Sequence, residues 1–202
     1  PIPHHTTDNV KSVYSDTYTS LVPHMFIGSW QQKTATQSVS LDGNNTLKSS
    51  NFNYAGIEFG GSEIDATDME YLHLDIYPLS SFTINVYPIC LNNDGSKNDQ
   101  LKKTINLIAN QWNSIDIPMS DFVGLNASRI FQFKIDNGKG ETFYLDNLYF
   151  YKNGSSSGIS SIETHTQDNH AWYNLQGQRM NDGAGSLPKG VYIHNGKKIF
   201  VK

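Results

Sequence analysis

The chain has 202 residues, enough for one large β domain or for a domain of about 150 residues with an appendage. Its formal net charge of −4 provides no basic surface for nucleic acid or an anionic membrane, and no apolar run approaches the ~20 residues of a membrane span. Aromatic residues make up 12% and charged residues only 17%, which is typical of extracellular β proteins that meet neutral polar ligands. Core aromatics of an ordinary β-sandwich explain most of the same composition.

The single cysteine, Cys90, excludes an intramolecular disulfide. Its apolar surroundings indicate a small core residue rather than a nucleophile. The chain begins at Pro1 rather than Met, so the lack of a signal peptide does not argue against secretion.

Alternation of polar and apolar residues predicts short β-strands from residue 10 to 152. The clearest are Tyr71–Tyr77, Phe82–Tyr87 and Ile130–Asp136, followed by a closing strand in Glu141–Lys152. Turn signals separate these runs at Asp42-Gly43, Asn93–Gly95 and Asn137-Gly138. The pattern predicts an all-β fold, a sandwich or jelly roll, without a helix of normal length.

The composition changes after residue 152. Residues 153–170 form a predicted linker that starts with the Gly/Ser-rich run Asn153–Gly158. Residues 171–202 form a predicted β tail with strands in Trp172–Arg179 and Gly190–Lys202, the latter a hairpin across Asn195-Gly196. Since so short a segment rarely builds its own core, the tail either packs on the main domain or is marginal alone.

The polar faces of the predicted strands are candidates for sugar recognition. Pyranose rings stack on aromatic rings, while their hydroxyls bond to amide and carboxylate groups. If two sheets bury their Leu/Ile/Phe faces, the opposite faces carry such residues, which together form one candidate glycan platform: His73, Asp75, Tyr77, Asn85, Tyr87, Gln132 and Lys134. The solvent face of any sandwich can have the same composition, so the pattern alone leaves both interpretations open.

Individual aromatic residues add to this hypothesis. Trp30 lies in a loop-like run between amides, where an indole either stacks on a ligand or anchors the loop. Tyr54 precedes Gly56, at which a ligand or another strand can approach closely. Trp112, at the start of an alternating strand, is interpreted mainly as a packing residue, as is Trp172 in the tail.

Six blocks in residues 8–152 carry a resemblance to a known family: Val13–Tyr18, Gly43–Lys48, Asn53–Phe59, Met69–Tyr77, Trp112–Phe122 and Phe143–Lys152. In this order they resemble jelly-roll carbohydrate-binding modules that accompany polysaccharide-degrading enzymes of Bacteroidetes. The resemblance implies a noncatalytic β-sandwich that binds a plant or microbial β-glycan. It also implies that the module brings an associated glycoside hydrolase to its substrate. That enzyme could be a catalytic domain covalently linked to the module.

The tail carries a second resemblance, in Tyr173–Arg179, Leu187–Tyr192 and Gly196–Lys202. These blocks resemble the last part of the C-terminal sorting segment of secreted Bacteroidetes proteins. The resemblance implies a secreted or cell-surface location. A plain C-terminal hairpin is the alternative interpretation.

The resemblance also implies a structural calcium ion. Asp146 matches an acidic residue that binds Ca²⁺ between the first and last strands of related modules, and Asp16 is its expected partner. Because Ca²⁺ takes six to eight oxygen ligands, backbone carbonyls, Asn147 or water would complete the site. In the alternative interpretation Asp16 caps a turn and Asp146 accepts backbone N–H groups. The histidines are scattered, which disfavours a zinc site.

Two other functions remain open from the sequence. Glu63, Asp65 and Asp68 nearly match the Glu-x-Asp-x-x-Glu signature of family-16 glycoside hydrolases, which are jelly rolls with a two-carboxylate retaining mechanism. The last position is one methylene shorter than the signature, and local backbone bonding in a loop explains the run better. A structural or adhesive surface protein without a glycan site is the third alternative.

Overall fold

A computed structural model describes residues 1–21, 26–27, 31–154, 171–175, 177–180, 187–194 and 197–201 of the chain, with the backbone alone at 26–27. It divides into two compact units, Pro1–Ser155 and Ser156–Lys202. Among these residues the helices are three short 3₁₀ turns, and no helix is long and apolar enough to cross a bilayer.

The described part of the first unit contains ten strands, which follow the predicted alternation closely. They are β1 (Val10–Tyr14), β2 (Phe26–Ile27), β3 (Ala35–Leu41), β4 (Asn44–Glu58), β5 (Tyr71–Pro78), β6 (Phe82–Leu91), β7 (Lys97–Asn98), β8 (Lys103–Leu107), β9 (Asn113–Pro118) and β10 (Ile130–Tyr151). All pairings between them are antiparallel, and the strands form one hydrogen-bonded network. The all-β prediction is confirmed.

The network folds into two layers because its two longest strands, β4 and β10, contribute to both. The last part of β10 pairs with β5, which pairs with β9, and the start of β10 pairs with β6, which pairs with β8. Apolar residues from both halves of β10, including Phe133, Ile135, Phe143 and Leu145, belong to one buried core. The result is a β-sandwich whose strands alternate between core and outer face.

The prediction that a turn at Asn137-Gly138 ends one strand and starts another is wrong. Two separate strands were expected around it, but the chain continues as the single 22-residue strand β10. The pairing with β4 shifts register between Asp136 and Phe143, where Asn137 and Gly140 have positive φ angles of 83° and 113°. These residues bend the strand from one layer to the other instead of reversing it.

The other two turn signals are confirmed. Leu41 pairs with Asn44 across Asp42 and Gly43, both at positive φ, as a tight hairpin requires. At the other turn, the Gly95 N–H donates to the Asn92 carbonyl over 2.9 Å. Cys90 is fully buried, as predicted for a core residue.

The described residues of the second unit form a small four-stranded antiparallel sheet. Its strands are β11 (Trp172–Tyr173), β12 (Arg179–Met180), β13 (Gly190–His194) and β14 (Lys197–Val201), in the order β12-β11-β13-β14. β13 and β14 pair as the predicted hairpin, and the Trp172 ring stacks on His194 at 4.4 Å, consistent with packing. Of the predicted linker 153–170, residues 155–170 lie outside the described part of the chain.

Candidate functional site

One outer face of the sandwich combines aromatic and hydrogen-bonding side chains across four strands. Register pairs Lys134 of β10 with Gly56 of β4 on one side and with Tyr87 of β6 on the other. The next row pairs Asp136 with Tyr54 and Asn85. We call this surface the Lys134 face, formed by Tyr54, Asn85, Tyr87, Thr104, Gln132, Lys134 and Asp136.

A hydrogen-bonded chain runs across this face. Asn85 Nδ2 donates to Asp136 Oδ1 over 2.8 Å, and Thr104 Oγ1 donates to Asn85 Oδ1 over 2.7 Å. Lys134 Nζ lies 3.3 Å from Asp136 Oδ2, with both side chains about a quarter exposed. The row therefore presents amide, hydroxyl, ammonium and carboxylate groups in fixed positions.

The ring of Tyr87 is the centre of the face. Lys134 Nζ lies 3.8 Å from its centroid, a close cation–π contact. Burial, together with a hydrogen bond to Asp136, raises the pKa of Tyr87 to about 12. The phenol is therefore neutral at physiological pH and holds its proton for hydrogen bonding.

Gln132 adds an unused acceptor one row further along β10. Its Oε1 atom is buried without a hydrogen-bond partner in the protein. Buried polar atoms in native proteins are usually paired, and each exception calls for an explanation. A ligand hydroxyl that donates to Gln132 would satisfy it.

The predicted platform is not one surface. His73, Asp75 and Tyr77 belong to β5, whose apolar residues Leu72, Leu74 and Ile76 fill the core from the opposite layer. Their side chains therefore lie on the other outer face of the sandwich, away from Asn85, Tyr87, Gln132 and Lys134. Grouping all seven as one platform is wrong, because alternation assigns a residue to the outside without saying which sheet carries it.

On that second face His73 is held between two carboxylates. Its Nδ1 lies 2.7 Å from Asp116 Oδ1 and its Nε2 lies 3.3 Å from Asp75 Oδ2. Burial would lower the pKa of His73, but hydrogen bonds and charge from the two aspartates raise it above its ordinary value. The ring stacks on Tyr149 at 4.6 Å. These contacts make His73 and Asp75 part of a packed polar cluster rather than an exposed platform.

The segment Pro1–His5 lines this cluster and encloses a cavity of about 130 Å³ with His73, Asp75 and Asp116. The His5 ring stacks on Tyr151 at 3.9 Å, and the Tyr18 hydroxyl donates to the His5 carbonyl over 2.8 Å. Burial and the neighbouring His73 lower the pKa of His5.

The residues expected to bind calcium lie close together but are already hydrogen-bonded. Asp146 is fully buried, and it accepts the Asn44 amide at Oδ2 and the Asn147 backbone N–H at Oδ1, each over 2.7 Å. Burial raises the pKa of Asp146, and the nearby carboxylates of Asp16 and Asp75 raise it further. The oxygen-rich donor set fits Ca²⁺ better than Zn²⁺. Within the described residues no group of three His, Cys, Asp or Glu side chains could hold a metal, so amide, backbone and water oxygens would have to complete such a site.

The acidic residues of the loop between β4 and β5 make structural contacts within the protein. Glu63 makes a bidentate pair with Arg129, with N–O distances of 2.7 and 2.8 Å. Asp65 accepts the backbone N–H and the hydroxyl of Thr67, as the loop interpretation predicted. Asp68 lies 2.6 Å from Lys11 and 2.9 Å from Lys152, hydrogen bonds that lower its pKa to about 2. Hydrogen bonding to Arg129 lowers the pKa of Glu63 as well, whereas a general acid of a glycosidase needs a raised pKa.

Trp30 lies outside the described residues, so the hypothesis that it contacts ligand stays a prediction. Trp112 is half-buried and meets the Tyr77 ring edge-on at 5.7 Å. Asp136 and Thr104 were not among the predicted binding residues. Asp136 follows Lys134 in the same alternation and could have been included, whereas Thr104 joins the face only because β8 pairs with β6.

The structure is similar to solved carbohydrate-binding modules. The family 11 module of a cellulosomal cellulase of Clostridium thermocellum matches with a TM-score of 0.55 at 17% identity, over 71% of this chain and 95% of that chain. The family 11 module from the same organism in complex with a β-1,3-1,4-mixed-linked tetrasaccharide matches with a TM-score of 0.51 at 18% identity, over 71% and 94%. A family 30 module of another C. thermocellum cellulase matches with a TM-score of 0.52 at 13% identity, over 64% and 92%.

These matches confirm the predicted jelly-roll fold. No protein-family model and no curated protein sequence matches the chain.

Proposed function

We propose that the first unit binds a polysaccharide reversibly, without cleaving it, on the Lys134 face. The observation that supports this most directly is the arrangement of Asn85, Gln132 and Asp136 around the ring of Tyr87. Neutral sugars need such a combination, because their C–H faces stack on rings while their hydroxyls bond to amides and carboxylates. The unpartnered Oε1 of Gln132 is an acceptor that a sugar hydroxyl would use.

The proposed ligand is a plant or microbial β-glycan. One structurally similar module was solved with a β-1,3-1,4-mixed-linked tetrasaccharide, which makes mixed-linkage β-glucan the first ligand to test. Tyr87 is only 7% exposed and its ring lies under Lys134, so the flexible lysine side chain would have to move aside for a sugar to stack there.

A glycoside hydrolase of family-16 type is disfavoured by the contacts of Glu63, Asp65 and Asp68. A retaining mechanism needs one ionised nucleophile and one carboxylic acid that is still protonated. All three carboxyl groups have lowered pKa values because each accepts hydrogen bonds from a neighbouring side chain. Noncatalytic binding is therefore the better proposal.

The wider role is also a proposal. A binding module that is physically linked to a glycoside hydrolase raises the effective concentration of substrate at that enzyme. The resemblance of the tail to sorting segments of secreted Bacteroidetes proteins supports a secreted or cell-surface location. The hairpin β13–β14 corresponds to the last two of its three matching blocks.

A structural Ca²⁺ between Asp16 and Asp146 is proposed as well. The two carboxylates come from opposite ends of the unit, so a shared cation would join the region after β1 to β10. It would also offset the repulsion that raises the pKa of Asp146.

Affinity electrophoresis of the full chain against xylan, mannan, mixed-linkage glucan and laminarin tests the binding function. We expect retarded migration on at least one polysaccharide without release of reducing ends. Tyr87→Ala and Gln132→Ala should each weaken retention, and Gln100→Ala, at an exposed amide just after β7, serves as the matched control. Undisturbed migration of the wild type on all four polysaccharides would overturn the proposal.

A further inference from the structure

A row of three aromatic rings crosses the sheet on the other side of the sandwich. Tyr77 of β5 pairs in register with Tyr144 of β10, and their rings lie 6.3 Å apart. Trp112, just before β9, lies 5.7 Å from Tyr77 on its other side. Beyond Tyr144 the row continues through Lys48 and Gln37, which pair with each other. We call these five residues the Trp112 row.

The length of the row suits an oligosaccharide. It crosses β9, β5, β10, β4 and β3, and four inter-strand steps of ~4.8 Å span about 19 Å. A ligand lying across the strands would meet the three rings from the Trp112 end to the centre of the row and the amide of Gln37 at the other end. These side chains therefore suit a neutral sugar chain. A peptide strand would instead pair with the edge of a sheet.

The exposure of these rings differs from that of two other tyrosines on the same face. Tyr149 and Tyr151, which lie near the segment Pro1–His5, are 1% and 6% exposed. Trp112, Tyr77 and Tyr144 are only half-buried. Tyr149 stacks on His73 and Tyr151 stacks on His5, so both are packing residues, whereas the row keeps ring surface open to a ligand.

A groove of about 320 Å³ lies at one end of the row. Trp112 forms one wall, the β3–β4 turn from Leu41 to Asn44 forms another, and Pro1 and Ile2 close it. The charged side chains of the row and groove are Lys48 and Asp42, one of each sign. A ligand without net charge is therefore the appropriate occupant.

We infer that the Trp112 row and this groove form a second glycan-binding surface, so that the module holds two sugar chains on opposite sides. The inference rests on the proposed function, since it assumes a glycan ligand, but it concerns a different face and different residues. The two-sided module would cross-link neighbouring polysaccharide chains rather than only attach to one.

Isothermal titration calorimetry of the full chain tests this inference. The ligand is a mixed-linkage glucan tetrasaccharide or, if another polysaccharide retards the chain in the gel, an oligosaccharide of that polysaccharide. We expect two bound oligosaccharides per wild-type chain. Trp112→Ala should leave one bound oligosaccharide, on the Lys134 face. Tyr87→Ala, which changes the Lys134 face, should also leave one, at the Trp112 row. Trp112→Phe keeps a ring and should preserve both, which separates ligand stacking from a folding defect. Leu79→Ala, an exposed apolar residue just after β5, is the control.

Cross-linking provides the second measurement. The wild type should raise the turbidity of a soluble polysaccharide, and each single-face variant should lose this effect while still being retarded in the gel. Loss of the second attachment should weaken avidity for the polymer by about 100-fold.

One bound oligosaccharide in the wild type, unchanged by Trp112→Ala, would overturn the second surface and leave the proposed function intact. Binding abolished by Trp112→Ala alone would also overturn it, because only one surface would then exist. A wild type that no polysaccharide retards would overturn both proposals.

Discussion

Asp75 and Asp146 stand directly opposite each other on β5 and β10, and both carboxylates are buried. Like charges in this position repel, and burial adds a desolvation cost. Asn147 lies between them, donating its backbone N–H to Asp146 over 2.7 Å and its side-chain amide to Asp75 over 2.9 Å. It has a positive φ of 51° and is the extra residue of a β-bulge, which turns both Asp146 and Tyr149 outward.

Asn147→Ala should therefore destabilise the first unit substantially. The variant leaves Asp75 Oδ2 without its amide donor and also removes the acceptor of the Ser15 hydroxyl. We expect a loss of about 2–4 kcal/mol in the free energy of unfolding, measured by urea denaturation. Asn45→Ala, at an exposed amide, should change it by less than about 0.5 kcal/mol. Equal effects of the two variants would contradict the role given to Asn147.

The stability of the unit should fall as the pH rises above neutrality. The folded structure raises the pKa of His73, because Asp75 and Asp116 stabilise its charged form. A histidine whose pKa is raised by folding contributes its full stabilisation at pH values below its pKa in the unfolded chain, which is about 6.5. This stabilisation is lost as the pH rises through the pKa of the histidine in the folded protein.

Urea denaturation between pH 5.5 and 8.5, chosen to span about one unit or more on either side of the ordinary histidine pKa, measures this dependence. His73→Gln should remove the part of the profile that falls with rising pH. Because the lowered pKa of His5 contributes a slope of the opposite sign, the test is the difference between the two profiles, and identical slopes in the wild type and in His73→Gln would contradict the assignment.

Calcium should stabilise the unit through Asp146. We expect a chelator to lower the unfolding temperature and added Ca²⁺ to restore it, with about 2.7 kcal/mol of stabilisation at 100 times the dissociation constant. Asp146→Asn should abolish this response. Asp116→Asn, which changes a half-exposed carboxylate on the same face, should retain it. If the wild type does not respond to either reagent, the calcium proposal is wrong.

Gly138→Ala should disturb the bend of β10. A Cβ atom at this position would collide with the ring and the backbone carbonyl of Phe52, a fully buried core residue. Since backbone cannot move aside easily, we expect a loss of about 1–3 kcal/mol in the free energy of unfolding. Lys139→Ala, one residue further along and exposed, should have little effect in the same measurement.

Glu63→Gln should affect stability and nothing else. The variant weakens the pair between residue 63 and Arg129, which is exposed to solvent, so we expect only a small loss of stability. Reducing-end assays should detect no polysaccharide cleavage by the wild type or by the variant. Cleavage by the wild type that disappears in Glu63→Gln would instead support a hydrolase.

The alternation in Tyr71–Tyr77, Phe82–Tyr87 and Ile130–Asp136 was sufficient to predict these strands and their buried faces. Hydrophobic burial acts on each strand locally, so a period of two identifies the core side directly. The same local argument predicted the turn at Asp42-Gly43, where both residues have positive φ, and the hairpin β13–β14.

The sequence by itself therefore determined the fold class, the faces of each strand and the types of residue available for recognition. Tertiary structure alone decided that Tyr87 shares a face with Lys134 and Asp136, while Tyr77 lies on the other side of the sandwich with Trp112 and Tyr144. The physical reason is that pairing between distant strands, and the bend of β10 from one layer to the other, depend on long-range packing of the whole core. No local pattern encodes which outer faces that packing will bring together.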